Sequence, residues 1–156
     1  MHNFELAKEY FLEGCAFLEA EDFSQAEYKF KQSLELMPDR ASTLTNLSAT
    51  QLKLKKYTEA RAAAQKAILI ENANSEAYLN LGLIEKEFKK FESAANFFDT
   101  ALSIKPDYHE AWSNKGNALN ELKRYDEAIA HFDKALSLKP DYHEAWSNKG
   151  NALNEL

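Results

Sequence analysis

Apolar and small residues recur along this chain at helical spacing, twice within each stretch of 34 residues. Trp112, Gly116 and Leu119 stand at positions i, i+4 and i+7, so they share one stripe of a helix. A second stripe with the same spacing follows, made of Ala128, Phe132 and Ala135. No strand pattern competes with this one. The pattern predicts an all-α chain built from pairs of antiparallel helices joined by short turns.

The helix pair repeats with a fixed period. Residues 105–122 and residues 139–156 both read KPDYHEAWSNKGNALNEL, an offset of 34 residues. A period of this length is typical of stacked repeat arrays, in which each unit covers the apolar face of its neighbour. We therefore predict one array over residues 1–156, with four full repeats and a final single helix. The rows are 7–40, 41–74, 75–108, 109–142 and the partial 143–156.

Prolines and N-capping residues mark the predicted ends and starts of the helices. Proline cannot continue a helix, and the second helix of a row is predicted to end before it. The prolines are Pro38, Pro106 and Pro140, with Asn72 at the equivalent place in the second row. Ser24 and Glu27 form a predicted capping box at a helix start, and Asp107 with Glu110 resembles one. Asp141 and Glu144 repeat that second signal.

The aligned rows resemble the tetratricopeptide repeat over residues 7–156. When the sequence is written in rows of 34 residues, a large residue, a small residue and an alanine each recur at the same position of every row, here called a column. These columns are Tyr10, Leu44, Tyr78, Trp112, Trp146; Gly14, Ser48, Gly82, Gly116, Gly150; and Ala26, Ala60, Ala94, Ala128. The resemblance implies a right-handed α-solenoid whose first helices line a concave side that holds a partner peptide. Ala64 departs from the pattern by replacing an aromatic residue. Lys115 and Lys149 depart from it by occupying an apolar column, where a lysine stem can cover the apolar seam.

Composition limits the classes of partner. The chain is 45% hydrophobic and 28% charged, with a net charge of −6 and a pI near 5.3. This acidity argues against a nucleic-acid backbone or an anionic membrane as the main partner. No apolar run approaches the roughly 18 residues that span a bilayer, and no signal peptide opens the chain. Cys15 stands alone, which fits a reducing, cytoplasmic location.

No residue pattern predicts catalysis, a cofactor or a metal site. HExxH, CxxC and glycine-rich phosphate loops are absent from the sequence. Cys15 has no histidine near it in sequence and is interpreted as a packed or groove-lining thiol. His131 follows the helical stripe beside Phe132, and we expect it to be partly buried at the surface. We therefore predict that the chain is not an enzyme.

The first helices supply the candidate peptide-binding face. Side-chain amides both donate and accept, so rows of asparagine can pair with the backbone of an extended peptide. The candidate residues are Asn46, Asn80, Asn114, Asn148, Asn117, Asn151, Leu79, Leu83, Glu76 and Glu110. Across the groove columns three lysines stand against seven glutamates, a net of −4, which predicts a neutral or basic peptide. An alternative is that several of these asparagines are solvated residues copied by duplication.

Three functional hypotheses follow. The first is a protein–protein interaction module that binds a peptide in its concave, acidic groove. The second is the substrate-recruiting N-terminal arm of a larger enzyme such as a glycosyltransferase, because the Asn46 column is similar to the asparagine ladder of such arrays. The third is a scaffold that associates end to end through the last helix, where Trp146 and Leu153 are expected to be exposed. For residues 150–156 we expect fraying or contact with another molecule. Some members of the family bind a C-terminal carboxylate with lysine, asparagine and arginine at set positions of the groove. Of these three residue types only asparagine stands at the equivalent positions here, so binding of a carboxylate is disfavoured.

Overall fold

The computed structural model describes residues 2–156, with side chains from Asn3 onward, and this part of the chain is helical without any strand. The helices are α1 His2–Glu19, α2 Phe23–Leu36, α3 Ala41–Lys53, α4 Tyr57–Ile70, α5 Ser75–Glu87, α6 Phe91–Ile104, α7 His109–Glu121, α8 Tyr125–Leu138 and α9 His143–Asn154. The predicted all-α class is thereby confirmed, as are four helix pairs followed by a single helix. None of these helices has the length and hydropathy needed to cross a bilayer.

The chain divides into two compact units, and the boundary falls inside α5. Unit 1 comprises residues 1–80 and unit 2 residues 81–156. The core of unit 1 is built around Phe30, with Ala26, Leu47 and Ala63. The core of unit 2 is built around Phe132 and Leu119, and it extends to the buried alanines of α8 and α9. Leu119, Ala128, Phe132 and Ala135 of the predicted stripes belong to the unit 2 core, whereas Leu136, Ala145 and Ala152 join that core from outside the stripes.

Close packing of helices depends on a glycine beneath a phenylalanine ring. The three pairs are Gly14 with Phe30, Gly82 with Phe98, and Gly116 with Phe132. A Cβ atom would lie 2.6 Å from the ring at Gly14 and 2.7 Å from it at Gly116, so the ring or the helix would have to shift to make room for it. In the second repeat Ser48 and Ala64 replace this pair, and the Ser48 hydroxyl donates to the carbonyl of Ala60 at 2.8 Å. The departure at Ala64 is thus matched by a larger residue in the glycine column.

Each turn inside a repeat places one non-glycine residue in the left-handed region. These residues, with φ near 58°, are Glu21, Lys55, Lys89 and Lys123. In the second repeat, the amide of Lys56 donates to the carbonyl of Gln51 at 2.8 Å, and that of Lys55 donates to Leu52 at 3.0 Å. This pair of bonds is the Schellman motif, which satisfies the last carbonyls of the helix. The sequence gives no glycine at these positions, so the motif was not predicted.

The prolines end helices as predicted, but the predicted capping boxes are wrong. Asp22, rather than Ser24, caps α2, and its carboxylate accepts from the Gln25 amide at 3.1 Å. The N-caps of α7 and α9 are Tyr108 and Tyr142, neither of which makes a side-chain capping bond. The reason is a β-turn that contains Pro106 and Asp107 and is closed by the Tyr108 amide donating to the Lys105 carbonyl at 3.2 Å. An equivalent turn around Pro140 is closed by the Tyr142 amide donating to the Lys139 carbonyl at 3.1 Å. Asp107 and Asp141 therefore lie inside turns, one residue before the cap.

Candidate functional site

Unit 2 carries an open groove of about 530 Å³ between α7, α9 and the end of α5, here called the unit 2 groove. Its lining residues are mostly amides and charged side chains. They are Lys86, Glu87, Lys89, Phe91, Asn117, Asn120, Glu121, Glu144, Asn148 and Asn151. The asparagines occur as i, i+3 pairs, one pair on α7 and one on α9, so each pair shares a helix face. The arrangement offers both donors and acceptors along one surface.

Lys86 provides a positive charge within this acidic groove. Its ammonium donates to Asn114 Oδ1 at 2.9 Å, while the Asn114 amide donates to the carbonyl of Glu110 at 2.9 Å. Burial lowers the pKa of Lys86, and the carboxylates of Glu144, Glu87 and Glu121 oppose that shift. Two lysines and three glutamates line the groove, so its formal charge is −1.

Unit 1 has a smaller cavity of about 220 Å³, here called the unit 1 cavity. Its lining residues are Ser42, Thr45, Asn46, Glu71, Asn74 and Glu76. Most side-chain amides near it donate hydrogen bonds to other residues of the chain. Asn74 Nδ2 donates to Thr45 Oγ1 at 3.0 Å, Asn80 Nδ2 donates to the Thr45 carbonyl at 3.2 Å, and Asn46 Nδ2 lies 3.5 Å from Cys15 Sγ. These bonds join α3 to α1, to α5 and to the residue that precedes α5.

The ten candidate residues are placed in different surroundings. Asn117, Asn148 and Asn151 line the unit 2 groove. Asn114 is bound to Lys86, and Glu110 is exposed in the first turn of α7. Asn46 and Glu76 line the unit 1 cavity, and Leu83 is half-buried. Leu79 and Asn80 are each only 6% exposed, so their side chains offer little surface to a ligand.

Sequence reasoning overlooked Lys89 and Phe91 as groove residues. Both come from the turn between α5 and α6 and the first residue of α6, rather than from the face of a first helix. Phe91 belongs to an aromatic column that recurs after each such turn, as Phe23, Tyr57, Phe91 and Tyr125. The recurrence of this aromatic residue could have indicated its place in the groove. Its equivalent in the next repeat, Tyr125, likewise lines an adjoining cavity with Asn120 and Asn154.

The cysteine and the half-buried histidine are placed as packed side chains. Burial raises the pKa of Cys15, and the nearby Glu19 adds to this effect against the hydrogen bond from Asn46. His131 lies against Trp112, with ring centroids 5.4 Å apart, and burial lowers its pKa. The residues that the structure describes contain no group of three histidines, cysteines or carboxylates that could hold a metal ion.

Comparison with known proteins identifies the repeat. Sequence models of the tetratricopeptide repeat match residues 17–83, 75–108 and 109–142. No curated protein matches the sequence.

Solved structures share the architecture at low identity. The MamA protein superposes with a TM-score of 0.78 at 23% identity, covering 97% of this chain and 82% of that chain. YrrB, a TPR protein with an unusual peptide-binding site, gives 0.75 at 21%, covering 92% and 74%. The first TPR of Spaghetti (RPAP3), bound to the HSP90 peptide SRMEEVD, gives 0.70 at 24%, covering 73% and 90%. These likenesses show an all-α solenoid fold.

Proposed function

Because the chain belongs to the tetratricopeptide repeat family, we propose that it is a non-catalytic interaction module that binds a peptide segment. The unit 2 groove is the contact surface, and the peptide is neutral or basic. The unit 1 cavity, with Asn46 and Glu76 in its wall, is a second and smaller contact surface. Two of the similar structures support the idea, since YrrB has a peptide-binding site and the Spaghetti repeat holds a peptide.

The observation that carries the proposal is the set of amides in the unit 2 groove. Asn117, Asn148 and Asn151 each bring a donor and an acceptor to the same surface. Lys86 adds N–H donors, of which Asn114 accepts one at 2.9 Å. Peptide carbonyls and amides are the partners that match such a surface, whatever the peptide's side chains.

Charge sets the preference among peptides. Glu121 and Glu144 stand in the groove wall and favour lysine or arginine side chains in the ligand. Salt is therefore expected to weaken the binding of basic peptides. An acidic peptide such as SRMEEVD is expected to bind poorly, because the three glutamates of the groove outnumber its two lysines.

A peptide selection with matched variants tests the proposal. Peptides selected from a random displayed library on the wild-type chain are titrated against Asn117→Ala/Asn151→Ala. We expect a loss of about tenfold or more in affinity, because hydrogen bonds to the peptide backbone are removed. The control is Asn96→Ala, an exposed asparagine of α6 that does not line the groove. Equal affinity of the double variant and the wild type for every selected peptide would refute the groove as the binding surface.

We also place the module in the cytoplasm, because its single cysteine is a half-buried thiol rather than part of a disulfide. Fractionation of the cells that produce it tests this, and recovery in an extracytoplasmic fraction would contradict it.

A further inference from the structure

The unit 2 groove continues into the adjoining cavity that Tyr125 lines, which has a volume of about 350 Å³. Asn120, Glu121 and Asn151 belong to the walls of both. Every residue that lines the cavity lies 34 positions after a residue that lines the groove. Subsite B is this cavity, and subsite A is the set of groove residues 34 positions before it, within 86–91 and 117–121. The repeat of the sequence is therefore also a repeat of the groove surface.

Each subsite combines an aromatic ring with carboxylates. Phe91 in subsite A and Tyr125 in subsite B are the first residues of α6 and α8, and both are half-buried. Glu121 lies in the walls of both subsites, while Glu87 belongs to subsite A and Glu155 to subsite B. An aromatic face and a carboxylate both attract a cation. The same chemistry is thus offered twice along one surface.

The lysines of the walls do not cancel this negative charge. In subsite B, two glutamates stand against Lys123. In the groove that contains subsite A, three glutamates stand against Lys86 and Lys89, and the nearby carboxylate of Glu144 counters the charge of Lys86. Each therefore has a formal charge of −1. A lysine or arginine side chain of a ligand is complementary to both subsites.

The distance between the subsites selects the conformation of the ligand. Asn117 of subsite A lies on α7, and its equivalent Asn151 lies on α9, which contacts α7. Packed helices lie about 8–10 Å apart. In a polyproline II helix, residues i and i+3 share a face and are about 9 Å apart. Alternate residues of a β-strand are only about 7 Å apart, and residues i and i+4 of an α-helix about 6 Å.

The amides of the groove favour the same conformation. Residues i and i+7 of an α-helix are about 10.5 Å apart, but its backbone groups are bonded to one another. A polyproline II backbone has no internal hydrogen bonds, so its carbonyls can accept from the side chains of Asn117 and Asn151.

We propose that subsites A and B each take one basic side chain of a polyproline II segment in a partner protein, an inference that rests on the proposed function of the unit 2 groove. The two basic residues stand three positions apart. One lies beside Phe91 and Glu87, and the other lies beside Tyr125 and Glu155. The ligand is thus a proline-rich segment with lysine or arginine at every third position.

Three proline peptides of the same composition test the spacing. The lysines stand three positions apart in PPPKPPKPPP, two apart in PPPKPKPPPP and four apart in PPPKPPPKPP. Only the first peptide places both ammonium groups on one face of the polyproline II helix. Each peptide carries fluorescein, and its anisotropy is followed as the full chain is added at low salt, where charges are least screened. We expect the first peptide to bind at least about tenfold more tightly than the other two.

Variants of subsite B locate the preference. Tyr125→Ala is expected to bring the three affinities within about twofold of one another, because only subsite A still holds a lysine. Glu155→Gln, at an exposed residue that lines subsite B alone, should reduce the preference by about threefold without disturbing the packing. Glu92→Gln removes the same charge from an exposed position of α6 that lines neither subsite, and it should bind as the wild type does.

Several results would overturn the paired subsites. Equal affinities of the three peptides, all weakened in Asn117→Ala/Asn151→Ala, would do so and leave the proposed function standing. A spacing preference that survives in both subsite B variants would place its cause elsewhere. Absence of binding by all three peptides at about 1 mM is a further contrary result, while the library-selected peptides decide the proposed function separately. So is tighter binding of an α-helical peptide with lysines seven positions apart.

Discussion

Glu27 shows how burial and pairing compete at a single residue. Its carboxylate is nearly buried, which by itself raises the pKa, but hydrogen bonds from Lys31, Lys56 and Gln51 outweigh burial. The pKa falls to about 2 from an ordinary 4.5. Lys56 Nζ lies 2.6 Å from Oε2, and Gln51 Nε2 lies 3.2 Å from Oε1. This cluster joins α2, α3 and the start of α4 within unit 1.

The lowered pKa predicts a specific dependence of stability on pH. A carboxylate with a depressed folded pKa stabilises the fold above pH 4.5, and that contribution is lost as the pH falls toward about 2. Its size is on the order of 3 kcal/mol at neutral pH. Urea unfolding followed by circular dichroism at several pH values should show Glu27→Gln less stable than the wild type at pH 7. The gap should close as the pH approaches 2. Glu35→Gln, at an exposed position of α2, is the control, and a gap that stays constant with pH would contradict the account.

The two lysines in an apolar column show how far single residues could be read from the sequence. A lysine stem over an apolar seam was the expectation, and the side chains of Lys115 and Lys149 are 16% and 22% exposed. Their charges pair with Asp99 at 2.5 Å and with Asp133 at 2.6 Å. Those pairs join residues 16 positions apart in the chain, and no local pattern in the sequence reveals them.

At the scale of the element, periodicity located the helices, but their first residues depended on tertiary packing. Proline positions gave the ends of α2, α6 and α8, because the residue before proline is driven into an extended conformation. The capping predictions at Asp107 and Asp141 did not hold. Tyr108 is 8% exposed at the N-cap of α7, so burial of an aromatic residue decides that position.

Two glycines in identical helices predict opposite effects of one substitution. Gly116→Ala is expected to destabilise the chain by about 1–3 kcal/mol, because the methyl group overlaps the ring of Phe132. Gly150→Ala is expected to stabilise it by up to about 1 kcal/mol, because alanine is the better residue in a helix interior. Thermal unfolding of the two variants beside the wild type measures both effects. A similar shift for both variants would show that the ring contact is unimportant.

At the scale of the whole molecule, the sequence was sufficient to predict the fold, but it was not sufficient to predict which residues line the groove. Helical period and 34-residue recurrence are properties of the chain itself, and they predicted the fold class. Exposure of a groove residue depends on its neighbours instead. Asn80 and Asn148 share a column, yet Asn80 is buried against the Thr45 carbonyl at 3.2 Å while Asn148 lines the unit 2 groove. The position of an asparagine within the repeat therefore does not show whether its side chain is buried or lines a groove.

The central claim is that amides of the unit 2 groove contact a peptide. An assigned ¹H–¹⁵N correlation spectrum, recorded while a selected peptide is added, tests it directly. The account predicts the largest shifts for the side-chain amides of Asn117, Asn148 and Asn151 and for the backbone of α7 and α9 around them. Shifts confined to residues outside the groove, such as exposed positions of α6 and α8, with those three amides unmoved, would contradict it.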